Sequence, residues 1–475
     1  MRDPRRCTRG HLCFSQWVGT LGSLRSGGAL VVLGCSLLLP SAHATEDLVA
    51  LLTLAEQTDP QYRQAQANAL AVAEEIPQAR ARLLMPSLSL SAGTQKVLQD
   101  IELARQAAVG AGGNIDFTTR NFRLTMNQPV YNHELIVAYK QADKRLKQAQ
   151  FELAAARQDL IVRVAERYFE VLAANDNLTF ARAEKQSLAR QLEQASQRFE
   201  VGLIAITDVQ EAQAGFDRAA ADEIIAANDV ENALEGLREV TARYHPELAM
   251  LDAEVTLTPP DPNDIEAWTQ QTLAQNLQLS AATVEVEVAL DEIKRERARH
   301  LPTLDIVGSH GFNSTGGRFG GSELTQSDIG LEFNLPIFEG GEVVASTREA
   351  RHRHDEAVER MEQTKRSVYR ETRESYLGII ARISSVKALK QAVVSSQTAL
   401  DSTRAGFEVG TRTAIDVVAA ERTLFGAKRD FARARYDYIL DVLSLKRAAG
   451  SLEPADVAIV NSWLQGAGET SGEDG

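Results

Sequence analysis

Two rhythms of apolar residues alternate along the chain. Across Asn132 to Glu200, Leu146, Ala149, Leu153, Ala156, Leu160 and Val164 recur at three-four spacing, the stripe of a helix packed along a neighbour. Proline is absent between Pro129 and Pro246 and again between Pro336 and Pro454, while Ala, Leu, Gln, Glu and Arg abound. Each interval therefore predicts a pair of very long helices. The 69 residues from Asn132 to Glu200 would span roughly 100 Å as one helix, more than a compact domain needs.

Four shorter segments change to a period of two: Ser87 to Val97 (Leu88, Leu90, Ala92), Asn121 to Asn127 (Phe122, Leu124, Met126), Thr303 to Phe312 (Leu304, Ile306) and Asp328 to Leu335 (Ile329, Leu331, Phe333, Leu335). Alternation predicts strands, each about as long as a tilted membrane strand. So short a pattern also fits two surface hairpins of a soluble protein. The connections Leu98 to Arg120 and Asn313 to Ser327 are polar and read as loops facing water.

The stretch FEVGLIAITDV at 199–209 returns as FEVGTRTAIDV at 407–417. Gly202 and Gly410 suit left-handed helix C-caps, and TDVQE restarts a helix with Thr207 or Asp208 as N-cap and Glu211 completing a capping box. Each stretch is thus the tip of a helical hairpin. Met85 to Leu88 likewise matches Leu301 to Leu304, Met126 to Tyr131 matches Phe333 to Phe338, and Tyr168 matches Tyr376. With the tips, the offsets are 216, 207, 208 and 208. They predict two tandem structural repeats, 45–250 and 264–450, joined by a linker at 251–263 and followed by 451–475, which ends in an acidic, disordered tail from Gly466.

The first 44 residues carry Arg2, Arg5, Arg6 and Arg9, an apolar run from Gly28 to Pro40 and Ala-His-Ala at 42–44, the parts of a cleaved signal peptide. Cys7, Cys13 and Cys35 all lie there, so the exported chain has no thiol for a disulfide, a zinc site or a nucleophile. Leu33 makes a poor lipid-attachment box around Cys35. Without residues 1–44 the chain keeps 46 basic and 64 acidic residues, a formal charge of −18, which argues against nucleic acid as a partner. No later run holds eighteen apolar residues, so a membrane role falls to the strands.

Strands in lipid must close on themselves because every backbone donor and acceptor needs a partner, and four cannot close. Two chains would supply eight strands around a filled interior, three would supply twelve around an aqueous lumen. Three chains would also set twelve helical staves in a ring, a tube with the FEVG tips furthest from the strands.

On RFEVGLIAITDVQEAQ, FEVGTRTAIDV, HLPTLDIVGS and the closing LKRAAGSL, the sequence from about 46 to 457 resembles the TolC family of outer-membrane channels. The resemblance implies a fold that is mainly α with transmembrane β: a long α-helical barrel on a 12-stranded β-barrel assembled from three chains, with an equatorial collar that takes in Pro246 to Asp264 and the segment after Gly450. It implies no enzyme and no cofactor, but a homotrimeric exit duct in the cell outer membrane with a periplasmic tunnel. The implied partners are outer-membrane lipid, a periplasmic adaptor and an inner-membrane transporter of RND or ABC type, for drug efflux or type I secretion.

The family's closing contacts map onto Thr207, Asp208 and Arg412, with Arg412 donating to the Thr207 hydroxyl and to a neighbouring chain's Asp208. Asp416 falls in the lumen's acidic ring, and Gly202 and Gly410 at notches for the adaptor. Phe407 stands where the family has a tyrosine, and Ala419 where it has a second aspartate, which removes three hydroxyls and three carboxylates per trimer. Read without the family, Asp208 and Asp416 are helix caps, Arg412 is a solvated turn residue, and Phe199 and Phe407 anchor helix packing.

Rival readings have less behind them. His352 and His354 are two apart on a predicted helix, about 200° around its axis, so no metal is expected there. The glycines of Gly316 to Gly321 precede a strand and aim no helix dipole at a phosphate. A periplasmic coiled-coil adaptor or scaffold would use long hairpins too, but needs no alternating strands.

Overall fold

The computed structural model of the protein describes residues 46–101, 113–252, 255–317 and 320–465. The signal peptide with Cys35, and the tail from Gly466, lie outside the described residues.

Three short helices come first, α1 (Leu48–Thr58), α2 (Pro60–Ala73) and α3 (Glu75–Leu84), followed by β1 (Ser87–Ile101) and β2 (Gly113–Tyr131). Next stand α4 (His133–Glu200) and α5 (Ile206–Thr241), then a two-residue β3 (Met250–Leu251). A similar order returns with α6 (Ile265–Gln275), α7 (Leu277–Ala298), β4 (Thr303–Thr315), β5 (Ser322–Asn334), α8 (Glu342–Glu408) and α9 (Ala414–Ala448), closed by α10 (Pro454–Asn461) and β6 (Leu464–Gln465). The helix expected from Asn132 onward is unbroken through 68 residues. It starts where the Asn132 side chain accepts from the Leu135 N–H at 3.2 Å, which satisfies one of the orphan donors of a helix start. Of its expected stripe, Ala149, Leu160 and Val164 are buried and Leu146, Leu153 and Ala156 half-buried.

The largest core lies where the middles of α4 and α9 meet α1, α5 and α10. Tyr168, Phe169, Leu160, Leu237, Ile439, Leu48 and Val457 pack there, all but fully buried. Phe169 meets Tyr168 edge-on at 5.5 Å and stacks on Tyr436 at 5.6 Å. Four tyrosine hydroxyls tie in polar groups around this core: Tyr168 donates to the Ala249 carbonyl (2.6 Å), Tyr438 to the Thr258 carbonyl (2.8 Å), Tyr436 to Asp176 (2.7 Å) and Tyr376 to Asn263 (2.7 Å). Residues 246–252, 255–264 and the segment after Gly450 are thereby held against the long helices, β3 pairing with β6.

β1, β2, β4 and β5 form one antiparallel sheet in that order. Its register sorts the side chains by face. Leu88, Met126, Gly308 and Ile329 share a row, as do Leu90, Leu124, His310 and Ser327, and Ala92, Phe122, Phe312 and Thr325; Leu304 lies beside Phe333 and Ile306 beside Leu331. Between them, on the opposite face, run Ser89, Thr125, Ser309 and Asp328, then Ser91, Arg123, Gly311 and Gln326. The Ser309 hydroxyl donates to Asp328 at 2.7 Å.

The apolar face is bare: Ile329 is 77% exposed and Leu331 71%. From Leu304 to Phe312 it covers roughly 27 Å of strand, on the order of 20 Å in height at a barrel's tilt. Beyond Phe122 it turns polar, with Arg120, Thr94 and Glu323. The strands run past the expected ends, so 98–101 and 113–120, read as loop, are ladder instead. Lys96 and Asp116 pair across it at 2.8 Å, since solvated charged pairs support a strand as well as apolar ones do. The remaining loop residues 102–112 lie outside the described residues.

Gly450 ends α9 in the left-handed region at φ 72°, and a Cβ there would stand 2.3 Å from the Gln275 carbonyl oxygen. Gly450→Ala is expected to lower stability by about 3 kcal/mol or more, since strained backbone and steric overlap add. Gly410→Ala, with φ 80° and open space around the added methyl, is expected to lose only about 1–2 kcal/mol. Thermal unfolding followed by circular dichroism separates the two, and equal losses would remove the contact argument.

Candidate functional site at the helical turns

Both hairpins turn by the same device. The Leu203 N–H reaches the Arg198 carbonyl (2.9 Å) and the Gly202 N–H the Phe199 carbonyl (2.8 Å); Thr411 and Gly410 repeat this to Gly406 (2.9 Å) and Phe407 (3.1 Å). These are paired Schellman bonds, closed by a residue at positive φ. Gly202 and Gly410 provide it, at 76° and 80°.

The helices restart differently from expectation. α5 begins at Ile206 with Ala205 as N-cap, not Thr207 or Asp208. Asp208 sits in the first turn and reaches back to the Ala205 N–H at 3.2 Å. Glu211 has no part in the cap. In α9, Thr413 is the N-cap and Asp416 accepts from its N–H (2.9 Å) and its hydroxyl (3.1 Å). Those two bonds, with the Arg412 charge a lesser help, hold the Asp416 carboxyl below its ordinary value.

Thr207 and Arg412 are exposed. Among the described residues, no hydrogen bond or ion pair joins Arg412 to Thr207 or Asp208, so the single chain does not make that contact. Phe407 is half-buried against Leu400, Val417 and Leu424, and the Arg198 guanidinium stacks over its ring at 5.0 Å. It therefore links α8 to α4. Ala419 is exposed on α9.

Above the turns lies a junction that reading the sequence missed. Glu421 of α9, 2% exposed, accepts from Arg404 of α8 at 2.6 Å and from Ser187 of α4 at 2.8 Å. Gln191, also buried, donates to the Ala414 carbonyl at 3.1 Å. One turn before Ser187, burial raises the Glu184 carboxyl, against the opposing charges of Arg429 and Arg422. The one signal in the sequence is that Glu421 interrupts an apolar stripe between Val417 and Leu424.

Among the described residues, no group of His, Cys, Asp or Glu is arranged to hold a metal. His352 is exposed and His354 half-buried, each near Asp355.

A two-faced sheet carried on two hairpins, each pairing a helix of 68 or 67 residues with one of 36 or 35, defines the class of membrane-strand proteins with a long helical extension. The family model described as outer membrane efflux protein matches residues 51–243 and 268–451, and the chain belongs to that family. It is 38% identical to outer membrane protein TolC of Vibrio cholerae over 431 residues, 90% of this chain and 96% of the relative. The alkaline protease secretion protein AprF of Pseudomonas aeruginosa is 29% identical over 348 residues, 73% of this chain and 72% of that one. In fold it is similar to the CmeC outer membrane channel of Campylobacter jejuni, with a TM-score of 0.71 and 18% identity over 88% of this chain and 89% of that one.

Because Asp416 titrates below its ordinary value, its cap contributes fully above that value and is lost as pH falls through the lowered one. Amide exchange in the first turn of α9 is expected to quicken across that window. Asp416→Asn should abolish the dependence, and Thr413→Ala should move its midpoint upward. A first turn indifferent to acid in the parent chain would contradict this account.

Proposed function

We propose that three copies of this chain close into a duct across the outer membrane, an exit for efflux and type I secretion whose periplasmic end opens at the helical turns. The observation that carries the reading is where the open edges fall. β1 and β5 end the sheet on opposite sides. Near the sheet the helices pack in the order α3, α4, α7, α8, and toward the turns in the order α5, α4, α9, α8. At each level one free flank belongs to the first half of the chain and the other to β5 or α8. Head-to-tail contact of such flanks generates a ring when the rotation closes.

Twelve strands suit this sheet better than eight. Ser89, Arg123, Thr125, Ser309 and Asp328 share the polar face, and a side-chain-filled eight-stranded interior would leave Arg123 and Asp328 without water. A soluble coiled-coil scaffold would leave the row of Ile329, Leu331 and Phe333 facing water. The two similar orders of elements support an origin by tandem duplication, with 45–250 and 264–450 as repeats, 251–263 as linker and 451–475 as the closing segment.

At the turns we read Thr207, Asp208 and Arg412 as the gate, Phe407 as its packed neighbour and Asp416 as an acidic ring of three. The bonds that Arg412 leaves unmade within one chain are available between chains. Asp416 can cap α9 with one oxygen and face the lumen with the other. Gly202 and Gly410, with open space above them, offer notches for a periplasmic adaptor, and through it an inner-membrane transporter supplies the energy.

Two measurements test the duct. Ile329→Arg is expected to abolish the heat-resistant trimer in outer-membrane extracts, because an arginine facing the bilayer midplane costs about 2–4 kcal/mol per strand, while Gln326→Arg on the polar face preserves it. In planar bilayers, Asp208→Ala combined with Arg412→Ser should conduct more than the parent chain. Equal conductance would refute the gate.

A further inference from the structure

We infer that a cavity between α3, α4 and α7 holds the headgroup of a zwitterionic phospholipid, a phosphate beside a primary ammonium, drawn from the leaflet on the helical side of the membrane. The inference rests on the reading that the sheet sits in lipid, and names one lipid class by its chemistry.

The cavity measures ≈ 330 Å³, and its walls include Arg82, Arg145, Arg295, Glu75 and Glu134. Its depth follows from the chain. Arg82 stands five residues before β1, Glu134 three after β2 and Arg295 eight before β4, which at 1.5 Å per helical residue puts them roughly 5–12 Å beyond the strand ends. The polar zone of one leaflet is about 5–8 Å deep, so these groups lie at the level of lipid phosphates.

The cavity also adjoins a path for acyl chains. Gln128, on the apolar face beside Ile306, donates to the Leu84 carbonyl at 3.2 Å, which sets the end of α3 against the lipid side of the sheet. From that end Leu84, Met85, Leu88 and Leu90 are all exposed, and the last two belong to the apolar face. Beyond β5, Ile337 and Phe338 are 90% and 86% exposed. In the proposed ring they lie beside the β1 of the next subunit and widen the strip.

Both signs of charge line the cavity, and part of the set is unused. Arg145 pairs with Glu75 at 3.3 Å. Arg82 and Glu134 make no hydrogen bond or ion pair among the described residues, and Arg295 Nε is a sealed donor without a partner in the wall. Guanidinium groups suit a phosphate, whose oxygens accept in their fork geometry. A primary ammonium offers three donors to a carboxylate. A trimethylammonium offers none, and a glycerol headgroup brings no cation to Glu134.

Native mass spectrometry of the purified trimer tests this after incubation with phosphatidylethanolamine, phosphatidylcholine or phosphatidylglycerol. The parent is expected to retain one phosphatidylethanolamine per subunit, roughly tenfold more tightly than either other lipid, the scale of one charge-assisted bond. Arg82→Glu should weaken retention by a similar factor, whereas Arg80→Glu, exposed on the same helix but outside the cavity wall, should not. Glu134→Gln should keep the phosphate and lose the preference for ethanolamine over glycerol. Equal retention of the three lipids by the parent, Arg82→Glu no weaker than Arg80→Glu, or an ethanolamine preference that survives Glu134→Gln overturns the inference.

Glycerophosphoethanolamine carries the same headgroup without acyl chains and is expected to bind roughly a hundredfold or more weakly, since each buried methylene adds affinity. Binding as tight as the lipid's overturns the membrane as source. The two readings fail separately: a chain that extracts as a soluble monomer refutes the duct, whereas a heat-resistant trimer that retains no phosphatidylethanolamine refutes the lipid site alone.

Discussion

Backbone pairing at the two outer strands governs the rest of this molecule. β1 and β5 each present a row of N–H and C=O groups with no strand beyond them, and the face they border is apolar enough to sit in hydrocarbon. In oil each unpaired group costs several kcal/mol, far beyond what one side-chain contact returns. Neither edge is short or covered: the strands are 15 and 13 residues long, and no helix or loop among the described residues covers them. Isolation in a membrane would therefore be costly, and the proposed edge-to-edge ring rests on hydrogen-bond accounting before any helix is considered.

Helices that continue from such a ring inherit its symmetry. α4 and α8 emerge shortly after β2 and β5, so their spacing is set above by the strands and halfway down by the tyrosine-ringed core around Tyr168 and Tyr438. Below that core only helix packing and a few polar contacts hold the staves, through small residues such as Ala195, Ala212 and Ala219 and one small cluster of Leu400, Val417 and Leu424. Less apolar area is removed from water per turn, so less free energy resists movement. In the proposed tube, the end far from the membrane is then the part most free to change shape.

The sequence made legible whatever depends on local periodicity. Leu88 to Phe333 sorted onto one face because strand alternation is a two-residue rule, and Asn132, Gly202 and Gly410 marked helix boundaries because each answers a backbone need its neighbours cannot meet. The misreadings have equally local causes. Thr207 and Asp208 look like N-caps, but the cap is set by which residue leaves helical backbone, and Ala205 does so while Asp208 serves it from the first turn. Asp116 looks like a loop residue until it is seen diagonally across the ladder from Lys96. Ser187, Arg404 and Glu421 lie on three helices, far apart in the chain, and no linear pattern joins them.

The same three residues bear on the two departures from the family pattern at the tips. In the proposed gate, Phe407 in place of a tyrosine would remove a polar contact and Ala419 in place of an aspartate would remove like-charge repulsion, so the two changes would act on closure with opposite sign. Deeper in the chain lie two further contacts: a guanidinium over the Phe407 ring, worth about 0.5–2 kcal/mol depending on desolvation, and a carboxylate withdrawn from water between two donors. Both join α4 to the second hairpin. The two contacts are complete within one chain.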